Sequence, residues 1–213
     1  MAIKKKTVII VAVIIAFLGI IGVGSGYTVY LRVMAPNVAV QEDVSLYVKP
    51  TFNLDSILVQ TQKLQLFKND GSFEWWANRQ NLGSHLTAGR YVITPGMSNR
   101  EIVNLLMTGR QTPVNVTFNN IRTKADFAGR IGEQLIADSS DFVAYFDSSA
   151  YFSTLGLNKD NFMTIFIPNT YELYWNTDAE GFVKRMAKEH DNFWTQARRD
   201  KAKKIGLSPE EVY

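Results

Sequence analysis

The sequence contains no cysteine, so it has neither a disulfide framework nor a thiolate for nucleophilic attack or metal binding. Histidine is almost as scarce. His85 and His190 are too few for a histidine-rich metal centre, each reads as an ordinary polar residue, and no metal or other cofactor is expected. A charge excess is also missing from most of the chain: with Lys4, Lys5, Lys6 and Arg32 set aside, 19 basic residues face 20 acidic ones. That near-neutral balance excludes nucleic acid as the expected partner. Disorder is excluded as well, because 46% of the 213 residues are hydrophobic and only 20% are charged, enough for one or two ordinary cores.

Charge is missing altogether from Thr7 to Leu31. At about 1.5 Å per residue this run would extend roughly 37 Å as a helix, enough to cross a hydrocarbon core. Lysines before the run, and only Arg32 close behind it, predict a cytoplasmic N-terminus with the remainder outside, and Tyr27 and Tyr30 suit the outer interface. A cleaved signal peptide is the competing reading. The run exceeds a signal core in length, and Gly24-Ser25-Gly26 is the nearest approach to a cleavage site, so an uncleaved anchor is expected. Without a lipid-attachment cysteine, the inner of two membranes is the expected location. Gly22 and Gly26 also form a G-x-x-x-G pattern, read either as helix pairing or as the ordinary glycine content of membrane helices.

The expected organisation is a cytoplasmic N-terminus at 1–6, a transmembrane helix at 7–31, a linker at 32–42, a first folded unit at 43–113 and a second at 114–213. Ser45 to Lys49 alternates as a strand that Pro50 ends. Leu54, Ile57, Leu58, Thr61 and Leu64 then recur at helical spacing behind a cap at Asn53. Ser72-x-x-Trp75 is read as the start of a second helix carrying Phe73, Trp75 and Trp76 and ending near Leu82-Gly83. A strand at Arg90 to Thr94 completes a β-α-α-β order, that of glycan-binding LysM modules. Trp75 and Trp76 would suit sugar stacking, but adjacent residues on a helix point to different sides, and core packing is the simpler reading for each.

A Pro95-Gly96 turn follows, and a helix opens at Ser98. Ser98-x-x-Glu101 is a capping box, Ile102, Val103, Leu105 and Leu106 form the apolar face, and Gly109 stops the helix before Pro113. The wording from Ala88 to Gln111 is A-G-x-Y-x-x-x-P-G-M-S-x-R-E-I-x-x-x-L-x-x-G-x-Q. It resembles the corresponding segment of the endolytic murein transglycosylases, the MltG or YceG-like family. The resemblance covers nearly the whole chain and is strongest from Leu86 to Val114.

It implies an α+β protein with an anchor helix, a LysM-like subdomain, and the N-terminal part of a mixed catalytic domain. It also implies cleavage of peptidoglycan strands, with cell-wall synthases as possible partners. In that second unit Val114, Val116 and Phe118 alternate as a strand, and Thr123-x-x-Asp126 caps a helix with Phe127, Ile131, Leu135 and Ile136 on its apolar side. Phe142, Tyr145 and Phe146 suggest another helix. The turn Asn119-Asn120-Ile121-Arg122 stands where relatives often carry Glu-Gly. Met163 to Tyr171 resembles the family motif E-G-x-x-F-P-D-T-Y: Pro168, Thr170 and Tyr171 match, Asn169 replaces aspartate, and Met163-Thr164 replace Glu-Gly. The resemblance makes Asn169, Thr170 and Tyr171 candidates for substrate contact. Glu172 is the nearest carboxylate that could act as the acid.

Thr177-x-x-Glu180 is read as the cap of a helix carrying Phe182, Met186, Phe193 and Trp194 and running toward Ile205 and Gly206. The cluster Arg198, Arg199, Lys201, Lys203 and Lys204 reads as its solvated face. Ser208-Pro209-Glu210-Glu211 is a further helix start, and the chain ends at Tyr213 just as that helix would begin. The sequence therefore reads as cut short, since the family's glutamate-bearing A-S-I-[IV]-E-[KE]-E-T helix has no match in it. The expected function is lytic transglycosylation by the full-length protein, with this chain alone inactive; the alternative is a membrane-tethered, non-catalytic glycan-binding or scaffold protein.

Overall fold

Twenty-nine successive residues without an interior proline or acidic side chain form one helix, α1 (Lys5–Val33), in the computed structural model of the chain. The structure describes residues 5–119, 121–148, 150–209, 211 and 212, with backbone only for 5–9. Lys4, Asn120, Glu210 and Tyr213, and the side chains of Lys5, Lys6 and Thr7, lie outside the described residues. The fold is mixed α and β, and it divides into one unit at Met1–Gln111 and another at Thr112–Tyr213.

In the first unit α1 is followed by β1 (Val44–Val48), α2 (Leu54–Lys63), α3 (Asp70–Arg79), the short α4 (Leu82–His85), β2 (Gly89–Ile93) and α5 (Asn99–Thr108). The two strands pair antiparallel from Val44 opposite Ile93 to Val48 opposite Gly89. A two-stranded ribbon is marginal alone. Here its inner residues Leu46, Val48, Tyr91 and Ile93 are fully buried against Ile57, Phe73, Ile102 and Leu106 from the helices. The Tyr91 hydroxyl donates to the Thr87 carbonyl at 2.8 Å, and burial pushes its pKa up to about 12.

Local signals set most helix ends. Asn53 and Ser56 form one capping box and Ser98 and Glu101 another. Gly109 closes α5 in the left-handed region at φ 66°, where an added Cβ would also lie 2.8 Å from the Thr87 methyl. The start of α3 differs from the sequence reading. Its cap is Asn69, whose side chain accepts from the Ser72 N–H at 2.9 Å, because the Ser72 hydroxyl is turned to the Asn69 carbonyl. The helix also ends earlier, at Arg79, and left-handed Asn81 (φ 54°) separates it from α4.

Residues 34–40 are tied to the first unit by hydrogen bonds. The N–H groups of Asn37 and Val38 donate to the Met97 carbonyl, Ala39 donates to Leu66, and Lys68 donates to Asn37. Beneath them lies Asn99, 1% exposed. Its amide nitrogen donates to the Arg32 carbonyl at 2.7 Å and to the Ser72 hydroxyl at 2.9 Å, and its oxygen accepts from Asn37 at 2.8 Å.

The second unit runs β3 (Val114–Phe118), α6 (Lys124–Gly132), α7 (Ser139–Ser148), α8 (Tyr151–Thr154), a 3₁₀ turn (Phe162–Ile165), β4 (Asn169–Leu173), α9 (Ala179–Phe193) and α10 (Gln196–Lys204). Thr123 caps α6 as its spacing predicts. Thr177 does not cap α9: Asp178 accepts from the Gly181 N–H, while the Thr177 hydroxyl donates back to the Tyr174 carbonyl. Nor does one helix run to Ile205. The backbone leaves the helical region at Trp194, and Thr195 caps a separate α10.

The Ser98–Glu101 box gives the first unit a predictable acid response. The Ser98 N–H and hydroxyl both donate to the Glu101 carboxylate at 2.7 Å, and these bonds lower its pKa. A lowered folded-state value means that the stabilisation is complete above the unfolded-chain value of about 4.3 and is lost as pH falls through the folded value. Urea unfolding of wild type and Glu101→Gln should therefore show a stability gap at pH 7 that narrows as pH falls below about 4.3, with the wild type the more stable at pH 7.

Candidate functional site

The second unit builds its site on the β3–β4 ribbon. The antiparallel register sets Phe118 opposite Asn169, Thr117 opposite Thr170, Val116 opposite Tyr171 and Asn115 opposite Glu172. Alternation along a strand then sorts the side chains. Val116, Phe118, Tyr171 and Leu173 point into the core, while Asn115, Thr170 and Glu172 point outward. Gln134 extends the ribbon's far edge by accepting from the Thr117 N–H and donating to its carbonyl.

Aromatic rings fill the space beneath. Phe118 meets Phe127 edge-on at 5.0 Å, Phe127 lies 4.5 Å from Phe166, and Phe142 meets Phe182 at 5.5 Å. Such pairs add about 0.5–1.5 kcal/mol each beyond the area they bury. The rigid floor they form supports an open cleft of about 570 Å³ whose wall includes Phe118, Asn119, Met163, Thr164, Pro168 and Trp194. No carboxylate lines it among the described residues. The cleft can grip an apolar or sugar-ring face, but those residues supply no general acid.

The four candidate residues do not converge on this cleft. Tyr171 is buried, stacks on Phe118 at 5.5 Å and donates its hydroxyl to the Ile167 carbonyl at 2.6 Å. Thr170 lies on the outer face, 2.8 Å from the Thr117 hydroxyl. Asn169 is exposed at the strand's start, its side chain accepting from the Thr170 N–H. Glu172 shares a separate shallow depression with Pro113, Thr177 and Arg185. The sequence pattern places Phe193 and Trp194 only as interior residues of a helix. They line the cleft because α9 ends there, a break that helical periodicity does not register.

The profile of the YceG-like family matches residues 46–213, about four-fifths of the sequence and both units. The chain belongs to the YceG-like family. A crystal structure of a protein described as yceG-like, from Listeria monocytogenes, is similar to 79% of this YceG-like chain with a TM-score of 0.39 and 18% identity. The match spans 60% of the Listeria protein. No curated protein matches the chain significantly.

The inward and outward positions of β4 should respond differently to substitution. Tyr171→Phe should lower stability by about 1 kcal/mol through its lost hydrogen bond, and Tyr171→Ala by about 3–5 kcal/mol through the cavity it leaves. Glu172→Gln should stay within about 0.5 kcal/mol of wild type. Denaturant unfolding followed by near-ultraviolet circular dichroism checks the series.

Proposed function

We propose that this YceG-like chain serves endolytic lytic transglycosylation of peptidoglycan. A carboxylic acid protonates the leaving glycosidic oxygen as the anomeric carbon–oxygen bond breaks, the resulting carboxylate takes the proton of the muramyl sugar's 6-hydroxyl as that oxygen closes on the sugar's own anomeric carbon, and a 1,6-anhydro end results. The observation that carries this reading is the family match across residues 46–213. It is supported by the place in the cleft wall of the matching motif residue Pro168 and of Met163 and Thr164, which occupy the motif's Glu-Gly positions. In this reading the cleft binds a glycan strand and the acid is supplied by a residue outside its described lining.

The β-α-α-β core of the first unit is read as a LysM-like glycan-binding module, and 43–113 and 114–213 as the binding and catalytic segments. Among the described residues one helix, Ile10–Val33, is long and apolar enough to span a membrane. In the proposed topology it is an uncleaved anchor in the inner membrane, with its N-terminus cytoplasmic and both units outside, acting on nascent strands near the cell-wall synthases. A second reading, a non-catalytic anchored glycan binder, draws support from the absence of a carboxylate in the described cleft lining.

Purified peptidoglycan incubated with the 213-residue chain should yield no 1,6-anhydromuramyl ends by mass spectrometry. The same chain continued into a family-type glutamate-bearing helix should yield them. If the short chain makes those ends and Glu172→Gln abolishes them, Glu172 is the acid. If neither form makes them while both retain glycan strands in co-sedimentation, the non-catalytic reading replaces the enzymatic one.

A further inference from the structure

The junction between α1 and the rest of the first unit carries three arginines, Arg32, Arg79 and Arg100. Arg32 lies over the Trp75 ring with its guanidinium carbon 5.4 Å from the centroid, and Arg79 approaches the same ring at 5.9 Å. Arg100, at the start of α5, points a guanidinium nitrogen at the Met34 sulfur at 3.6 Å. All three arginines are exposed, and none is in an ion pair among the described residues. Glu101, the carboxylate next to Arg100, is instead held by the Ser98 N–H and hydroxyl.

The depth of this group follows from the helix that carries it. Residues Ile10–Val33 are 24 in number. At 1.5 Å per residue they span about 36 Å, against a hydrocarbon core of about 30 Å, which leaves the last turn, with Arg32, among the headgroups. Contacts hold the folded part of the unit against the end of α1. Val33 is buried, α1 packs on α3 and α5, and Asn99 holds the Arg32 carbonyl at 2.7 Å. Trp75, half-buried and touching Arg32, is therefore kept at the interface, where tryptophan is favoured and where arginine stems lie along apolar surface with their charge among polar groups.

We infer that Arg32, Trp75, Arg79 and Arg100 form a membrane-facing surface that binds the phosphate groups of anionic phospholipids. Three guanidinium groups supply charge-assisted donors for phosphate oxygens, and the indole supplies the apolar contact with the upper acyl region. This surface sets the orientation of the first unit on the bilayer. The inference rests on the reading of α1 as an uncleaved anchor.

The test uses the full chain reconstituted into vesicles of phosphatidylcholine alone or of equimolar phosphatidylcholine and phosphatidylglycerol, with acyl chains brominated near the headgroup. The Trp75 contribution is the difference in emission between the protein and Trp75→Phe. Phosphatidylglycerol should blue-shift and further quench this contribution, and the change should be lost when Arg32, Arg79 and Arg100 are all replaced by Gln, measured against the same variant carrying Trp75→Phe. Alkaline carbonate should extract none of these proteins. A Trp75 contribution that brominated lipid does not quench, or that phosphatidylglycerol does not alter, in carbonate-resistant wild-type protein overturns the inference and leaves the anchor intact. Release of the wild type by carbonate overturns both.

Discussion

One buried amide, Asn99, reaches three places in the first unit that lie 27 to 67 positions from it in sequence. Its side chain bonds the last turn of α1, the segment that leaves it and the first turn of α3, through Arg32, Asn37 and Ser72. Each bond contributes only about 1 kcal/mol net, but removing one partner strands the others without water, at about 1–3 kcal/mol for each group left unpaired. The consequence is geometric. A helix suited to a bilayer and a folded unit that would otherwise be joined by a freely turning tether are held as one body, and the Trp75 surface exists only because they are.

The second unit rests on a different constraint. Its two-stranded ribbon has one buried face, and the rings of Phe118, Phe127, Phe142, Phe166 and Phe182 supply the core that a larger sheet would otherwise share. Close aromatic packing resists local rearrangement. The cleft above it therefore has a firm floor and a wall of motif positions, among them Met163, Thr164 and Pro168. The family tie comes from sequence, and the chemistry proposed for the cleft depends on an acid that its described lining does not contain.

Features fixed by near neighbours were legible in the sequence. The Ser98–Glu101 box, the Asn53 and Thr123 caps and the Gly109 stop each depend on residues within a few positions. Features decided by distant partners were not. Ser72 looks like a cap, yet its hydroxyl also accepts from Asn99, 27 residues away, and Asn69 takes the capping position. Thr177 lost its expected position to Asp178, the next residue, whose carboxylate accepts from the Gly181 N–H although Gly181 completes no capping box, while the Thr177 hydroxyl turns back to the Tyr174 carbonyl. At the site, alternation predicts that Tyr171 and Glu172 face opposite ways, but only the strand register shows which of them turns to the core. The segment after α1 reads as a linker because it lacks periodicity, and its hydrogen bonds to Met97, Leu66 and Lys68 leave no mark in its own residues.

Amide hydrogen exchange on the membrane-reconstituted chain tests the central claim, that the anchor and the first unit form one body. The amides of Asn37, Val38, Ala39 and Lys68 should exchange as slowly as those of the β1–β2 ribbon, since all four donate inside the unit. Exchange of these four at the rate of an unstructured peptide, with the ribbon still protected, would contradict it.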